Sequence, residues 1–450
     1  MTPTMPDSTT SRDVEGDGEP PRPFHLEYAL LLKTGSPGAA TGTESGARTH
    51  QIPHTTGTID AIIVPTIRSA EQLRPAVRLA SQLRCQLVAL YTGKFPDGLS
   101  EILASASPGQ AAALALRTEA GHRLLDLASA IPQSRPSACA LDISRKRNLG
   151  LLIGRSCGWS RMLFLDDDIR RLNVEKVTSA ATLLSQYPVV GLQVTGFPDA
   201  SVVGHARRMA GSKSKPFISG GSMLVDPQRM RGFFPPVYHE DWLCIMDHLR
   251  RGEVAIADRV AQLRYQPFTT KARAQLEEFG DILASGLLWL VHVKGNSSMD
   301  EQSYWREAID QQFWHDILNQ RAKLLADLAK NPELIRDDHE TLPLQSIRAA
   351  RRRCDELSSG EFVSFMEKWL ANLTTWRTRL AGLPRAGSVS KVLAELGLQH
   401  VVTIHDERRS LARAAASKIR STMDAAELPK PRHLAGLPVL RRFVRGGLAR

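Results

Sequence analysis

The chain has 450 residues, 42% of them hydrophobic and 23% charged, a balance that excludes disordered and fibrous classes and suits a large catalytic domain with an appendage. Five cysteines, Cys85, Cys139, Cys157, Cys244 and Cys354, stand without a CxxC pair, which argues against a zinc cluster or disulfide framework and fits a reducing cytoplasm. The net charge of +11 raises nucleic acid, anionic membrane or anionic substrate as partners, but aromatic and basic residues do not interleave as in single-strand binders, so no nucleic acid is expected.

Residues 1–57 are rich in Thr, Ser, Gly and Pro apart from a short apolar run from Phe24 to Leu32, and are expected to be largely disordered. Their acids and prolines do not read as a signal peptide, and no run in the chain approaches the ~20 apolar residues that span a bilayer. From Ile59 the texture changes. A β-branched run ending at Pro65, helical apolar spacing from Glu71 to Leu83 and a second apolar run from Cys85 to Tyr91 predict a βαβ unit and hence a parallel sheet. Ligands bind at the strand ends of such units. A helix is expected over Ala111–Ala130 and another over Lys146–Cys157, followed by a strand at Met162–Leu165.

That strand runs directly into Asp166, Asp167 and Asp168. Three carboxylates at a strand end repel one another, and the usual compensator is a hard divalent cation that binds one or two carboxylates and completes its shell with substrate phosphate. The plain alternative is that Asp167 or Asp168 caps a helix starting near Ile169. Downstream, Val189–Val194 and Ser222–Val225 read as strands and Asp241–Arg251 as a helix, while Ile282–Val293 reads as a buried helix or strand. From Glu301 to Arg420 the pattern is helical with no strong strand signal, the clearest stretches being Tyr304–Leu328 and Glu361–Leu380. The tail from His433 to Arg450 mixes apolar residues with arginines, a composition suited to peripheral contact with an anionic membrane or to a disordered basic tail.

The stretch from Ile143 to Ile169 and the later blocks around Gly220 and Glu240 together resemble the nucleotide-sugar glycosyltransferases of the Rossmann-like GT-A type, especially family 2. The resemblance covers residues 58–295. It implies a catalytic domain over 58–300 and says nothing of the ends, where pattern and composition give 301–425 as a helical accessory region and 426–450 as a basic tail. In that family an Arg-Asn pair opens a helix, a small-residue turn ends it, and a strand delivers a metal-binding DxD; Arg147, Asn148, Gly158, Asp166 and Asp168 match. A donor site over Pro65, Thr66, Arg68, Tyr91, Arg147, Asn148, Asp166 and Asp167 follows, with Mn²⁺ or Mg²⁺ as cofactor. Gly220 and Gly221 match the turn on the acceptor side, with His239 and Trp242 nearby, and Glu240 and Asp241 match the pair that supplies the catalytic base. Asp241 is also placed to cap its helix.

His292 is a candidate third metal ligand, since neutral imidazole suits manganese, although a lone histidine on an apolar segment is more often a core residue. The acidic residue that usually closes the second strand is replaced by Tyr91, Thr92 and Gly93, and the QxxRW signature of processive synthases is absent. The resemblance thus implies a single-transfer enzyme, inverting with Asp241 as base or, with His292 as a ligand, retaining, that takes a nucleotide-diphosphate sugar as donor and an acceptor that the motifs do not name. A nucleotidylyltransferase of related fold and an inactive protein-binding scaffold are the alternatives.

Overall fold

The computed structural model describes residues 33–34, 59–106, 111–116, 125, 138–195, 200–212, 218–294, 301–335, 341–396 and 401–404. The protein is α/β, built on one curled, mixed sheet. Its strands are β1 (Lys33–Thr34), β2 (Ala61–Pro65), β3 (Gln86–Thr92), β4 (Ala111–Leu116), β5 (Met162–Leu165), β6 (Ile169–Arg170), β7 (Val189–Thr195), β8 (Ser222–Val225), β9 (Val254–Gln262) and β10 (Val401–Ile404), in the order β1-β9-β7-β8-β5-β2-β3-β4-β10, with β6 paired to β9.

Strands β2, β3, β4 and β5 run parallel, as the βαβ pattern predicts. Among the described residues β1, β7 and β9 share that direction too, as expected of a mostly parallel sheet, and three strands make it mixed. β8 lies antiparallel to both β5 and β7, and β10 and β6 are antiparallel to their partners. The reversed β8 has a consequence for the site: it pairs Ser222 with Leu165, so the turn before β8 meets the carboxyl end of β5.

The central strands are apolar on both faces because both are covered. Along β2, Ala61 and Ile63 join one core with Leu149, Phe164, Phe233 and Trp314. Ile62 and Val64 point the other way, into a second core with Leu87, Leu163 and Val190. This is the two-residue alternation of a strand. Burying one such Ile or Leu side chain contributes roughly 1.5–3 kcal/mol.

Helix α1 (Arg74–Leu83) and the short α2 (Leu99–Ala104) follow β2 and β3. The helix expected over Ala111–Ala130 begins instead as β4. Its alanines favour a helix in isolation, but Ala112, Ala113 and Leu114 are buried between β3 and β10, and sheet pairing wins over local propensity. Residues 117–124 and 126–137 lie outside the described residues. Helix α3 (Ala138–Cys157) starts eight residues before the expected Lys146, so Arg147 and Asn148 sit inside a helix rather than opening it. It ends at Gly158, whose φ of +76° is the left-handed turn that glycine accepts most readily.

Next come α4 (Val174–Thr182), α5 (Val202–Met209), α6 (Glu240–Arg250) and α7 (Lys271–Lys294), the last of which contains the Ile282–Val293 segment as helix. The expected helical stretch from Tyr304 breaks at Asp310, whose carboxylate caps the next helix, giving α8 (Glu301–Ala308) and α9 (Gln311–Leu328). Helices α10 (Leu342–Glu356), α11 (Ser359–Ala381) and α12 (Val389–Glu395) follow, α11 opening on a Ser358–Glu361 capping box. Phe362 of α11 stacks on Phe279 of α7 at 4.6 Å and on Trp314 of α9 at 4.8 Å, so the helical region shares the core on one face of the sheet.

Lys33–Thr34, inside the segment expected to be largely disordered, pair with Ala255–Ile256, and Val401–Ile404, in the region expected to be almost wholly helical, form a strand. The basic tail lies outside the described residues. Among the described residues no helix is long and apolar enough to cross a membrane.

Candidate active site

The chain builds β2, β3 and β4 outward in one direction and then returns to place β5 on the other side of β2. Loops diverge at such a reversal and leave a crevice at the carboxyl ends of the two strands, where open α/β sheets bind ligands. Here Pro65–Arg68 leave β2 and Asp166–Asp168 leave β5, and both line one cleft of about 630 Å³.

The aspartates are tied to different partners. The Thr66 hydroxyl donates to Asp167, and Arg68 Nη1 lies 3.0 Å from the same carboxylate. Burial raises the Asp167 pKa, with Thr66 and Arg68 opposing. Arg68 Nη2 lies 3.3 Å from Asp168 Oδ2, with Gln262 Nε2 at 3.4 Å. The other oxygen, Asp168 Oδ1, is buried with no hydrogen-bond partner. Neither Asp167 nor Asp168 starts a helix, because Ile169–Arg170 continue as β6.

Asp166 is held by Arg147 Nη2, at 3.1 and 3.2 Å. Arg147 is buried and its Nη1 donates to Glu240 Oε1, so one guanidinium spans the aspartate cluster and the start of α6. Burial works against the Arg147 charge, but Asp166, Glu240 and Asp241 outweigh it and its pKa is raised. Burial pushes the Glu240 carboxyl up to about 8; Arg147 opposes the shift and Asp241 adds to it.

Asp241 faces the same cleft with more of its surface open. Its Oδ2 accepts from the Gly220 amide at 2.6 Å and its Oδ1 from the Trp242 amide at 2.9 Å, which fixes the carboxylate's direction while leaving a lone pair on each oxygen. The N-cap position belongs to His239, so Asp241 serves the turn before β8 as well as its own helix. Both glycines of that turn are required by close approach. A Cβ on Gly220 would lie 2.8 Å from Arg147 Cζ, and one on Gly221 would lie 2.7 Å from Asp166 Cγ.

His239 adopts a left-handed φ of +63°, which is uncommon outside glycine. Its ring stacks on Trp242 at 3.9 Å, and its Nε2 lies 3.2 Å from Asp281 Oδ1. Asp281 in turn accepts from Ser201 at 2.8 Å and from Arg321 Nη2 at 2.6 Å. Burial alone would raise the Asp281 pKa; Arg321, His239 and Ser201 together lower it. Arg321 lies on α9, so the helical region reaches the residue beside Glu240.

Of the predicted donor residues, the structure brings Pro65, Thr66, Arg68, Arg147, Asp166 and Asp167 to the cleft, together with Asp168, His239, Glu240, Asp241 and Trp242. Gly220 and Gly221 stand directly behind them. Three predicted residues do not line it. Asn148 is fully buried and spends its amide on the Phe234 main chain, donating to the carbonyl at 2.8 Å and accepting from the N–H at 2.8 Å. Tyr91 is buried against Phe95, and burial raises its pKa. His292 lies on α7 ~22 Å along the helix axis beyond Glu277, the last residue of that helix in the cleft wall, out of reach of any ion held by Asp166 or Asp168.

Sequence reasoning missed four charged cleft residues. Lys146 is buried and its Nζ donates to Asp142 at 2.6 Å and to the Thr66 carbonyl at 2.9 Å, bracing the loop after β2. Asp142 belongs to the start of α3, ahead of the expected helix start at Lys146. Arg273 and Glu277, ion-paired at 2.6 Å, come from the first half of α7. Glu277, Glu278 and Asp281, charged residues at helical spacing ahead of an apolar run, were the available signal.

Among the described residues no three His, Cys, Asp or Glu side chains form a ready-made metal cage. The unpartnered Asp168 Oδ1 and the cleft-lining Asp166 fit a hard cation that takes one or two protein carboxylates and fills its shell from phosphate and water. Comparison with known proteins brings no family model that matches the chain and no curated protein similar to it.

Proposed function

We propose that the protein is a metal-dependent glycosyltransferase of the GT-A type, moving a sugar from a nucleotide-diphosphate donor to an acceptor hydroxyl by a single inverting displacement. The observation that carries this reading is the Arg147 guanidinium, which joins Asp166 at the switch point to Glu240, next to Asp241, in one cleft.

The residues divide the work by position. Arg147 fixes Asp166 toward the donor side, and the half-exposed Arg68 offers a cationic partner at the mouth for a departing diphosphate. A Mn²⁺ or Mg²⁺ ion held by Asp166 and Asp168 would neutralise negative charge on that leaving group. Asp241, aimed by the Gly220 and Trp242 amides, takes the proton of the acceptor hydroxyl as its oxygen bonds to the anomeric carbon, and the electron pair of the breaking bond leaves with the diphosphate. Glu240 is poorly suited to be the base because it is buried and occupied by Arg147. The Trp242–His239 stack presents an aromatic surface beside the base, suited to a flat face of the acceptor.

Calorimetric titration against a panel of nucleotide-diphosphate sugars, with Mn²⁺ and then with chelator, tests the proposal. Metal-dependent binding of a donor, lost in Asp168→Ala, is expected. A folded wild-type protein that binds none of them would refute it.

A further inference from the structure

A second cleft, of about 620 Å³, opens at the opposite end of the sheet from the aspartates. Pro188 leads into β7, Gln228 to Arg231 follow β8, Glu253 leads into β9, and Arg377 and Leu380 descend from α11. Because β8 is antiparallel to its neighbours, these segments all meet at the amino end of β5. Nothing in the proposed reaction uses this cleft.

Four arginines line it: Arg155, Arg229, Arg231 and Arg377. Three are held in fixed positions by other groups. Arg155 donates through Nε to the Leu380 carbonyl at 3.1 Å and through Nη1 to the Gln228 carbonyl at 2.6 Å. Arg229 Nε donates to Asp226 at 2.7 Å, and its Nη2 to the Leu184 carbonyl. Arg377 Nη2 reaches Asp247 at 3.1 Å. Arg231 is the loosest, with its side chain 42% exposed and its nearest carboxylate, Asp247, 3.8 Å away.

The acids present do not balance this charge. Asp247 is approached by Arg231, Arg250, Arg251 and Arg377 together, and Glu301 is shared by the last three, so two carboxylates face four guanidiniums. Glu253, the acid in the wall, is engaged by His248 Nδ1 at 2.8 Å. Burial, then the nearby Arg385, lowers the Arg155 pKa, with Asp226 opposing.

We propose that this pocket binds a small phosphorylated ligand, its phosphate seated among Arg155, Arg229 and Arg231 and its body against Met230 and Leu380. Arg155 Nη2 and Arg229 Nη1 can each donate to a phosphate oxygen, Arg231 can offer a paired fork, and guanidiniums already held by carbonyls lose little freedom on binding. The volume falls in the range of small-molecule sites. The ligand would sit near Asp247, at the far end of the helix whose first turn carries Glu240 and Asp241.

The test is calorimetric titration of the full chain with pyrophosphate in the presence of chelator and at constant ionic strength. The proteins compared are wild type, Arg231→Gln and the active-site variant Arg68→Gln, each checked for native thermal unfolding. Saturable binding to wild type and to Arg68→Gln, weakened about tenfold or more in Arg231→Gln, is expected. The proposal fails if no saturable binding occurs, if natively folded Arg231→Gln binds as wild type does, or if Arg68→Gln abolishes binding and so places pyrophosphate in the other cleft. Chloride at matched ionic strength producing the same heat would equally overturn it.

Discussion

Replacing Gly221 with alanine probes the active-site geometry with a single methyl group. Gly221 does not have a positive φ, so alanine suits its backbone and any effect comes from contact. The new Cβ would lie 2.7 Å from Asp166 Cγ and 3.0 Å from Asp166 Cβ. Carbon atoms prefer ~3.5 Å or more, so the carboxylate must retreat by ~0.8 Å. That displacement pulls Asp166 away from Arg147 and out of register with Asp168. A misplacement of about 1 Å costs roughly 10²-fold in rate, or ~2.7 kcal/mol of barrier. Overpacking itself should cost ~1–3 kcal/mol of stability. Donor hydrolysis and transfer, measured as kcat/KM beside thermal unfolding, separate the two effects. A variant with kcat/KM within threefold of wild type, whatever its melting temperature, would show that Asp166 need not stay where Arg147 holds it.

Asp241→Asn should lower transfer by ~10²–10⁴-fold while leaving metal-dependent donor affinity intact, because it removes a proton acceptor and preserves shape; loss of donor binding would contradict its assignment as base. Arg321→Ala takes the guanidinium from buried Glu278 and leaves Asp281 with His239 and Ser201 alone, and should cost ~3–5 kcal/mol in denaturant unfolding; a change under ~1 kcal/mol would show that the network does not carry the helical region. Burial pushes the Glu277 carboxyl up to about 7, against Arg273, so the folded state binds its proton more tightly than the unfolded chain does. That contribution to stability is complete below the ordinary value of 4.5 and is lost as pH rises through about 7. Glu277→Gln should therefore show a flatter melting temperature across that window, and parallel curves for variant and wild type would refute the shift.

Much of the site could be read from the chain because β5 announces itself. Met162–Leu165 are apolar and buried on both faces, and the change to three carboxylates marks where the sheet ends and solvent begins. The β4 segment gave the opposite signal. Its run of alanine and leucine carries helical propensity and no β-branched residue, and only pairing with β3 and β10 makes it a strand. The second of those partners lies far away in the chain, beyond the reach of any window. The same holds for Glu277 and Asp281, whose significance depends on Arg273, Ser201 and Arg321 facing them across other helices.

Arg147 and Asn148 show most clearly where motif reading stops. As neighbours they look like one feature with one task at the donor. Inside α3, however, successive side chains point ~100° apart, so adjacent residues need not serve the same surface. Arg147 turns to the cleft and meets Asp166 and Glu240. Asn148 turns to the core side and pairs with both main-chain groups of Phe234, in the segment just ahead of α6. The two therefore act on the same part of the chain by different routes: the arginine binds the carboxylate at the start of α6, and the asparagine fixes the backbone that leads into it. Asn148→Ala would leave the buried N–H of Phe234 without a partner and its C=O with the Ser144 hydroxyl alone, so the position is constrained by the approach to Glu240 and Asp241 rather than by contact with any donor.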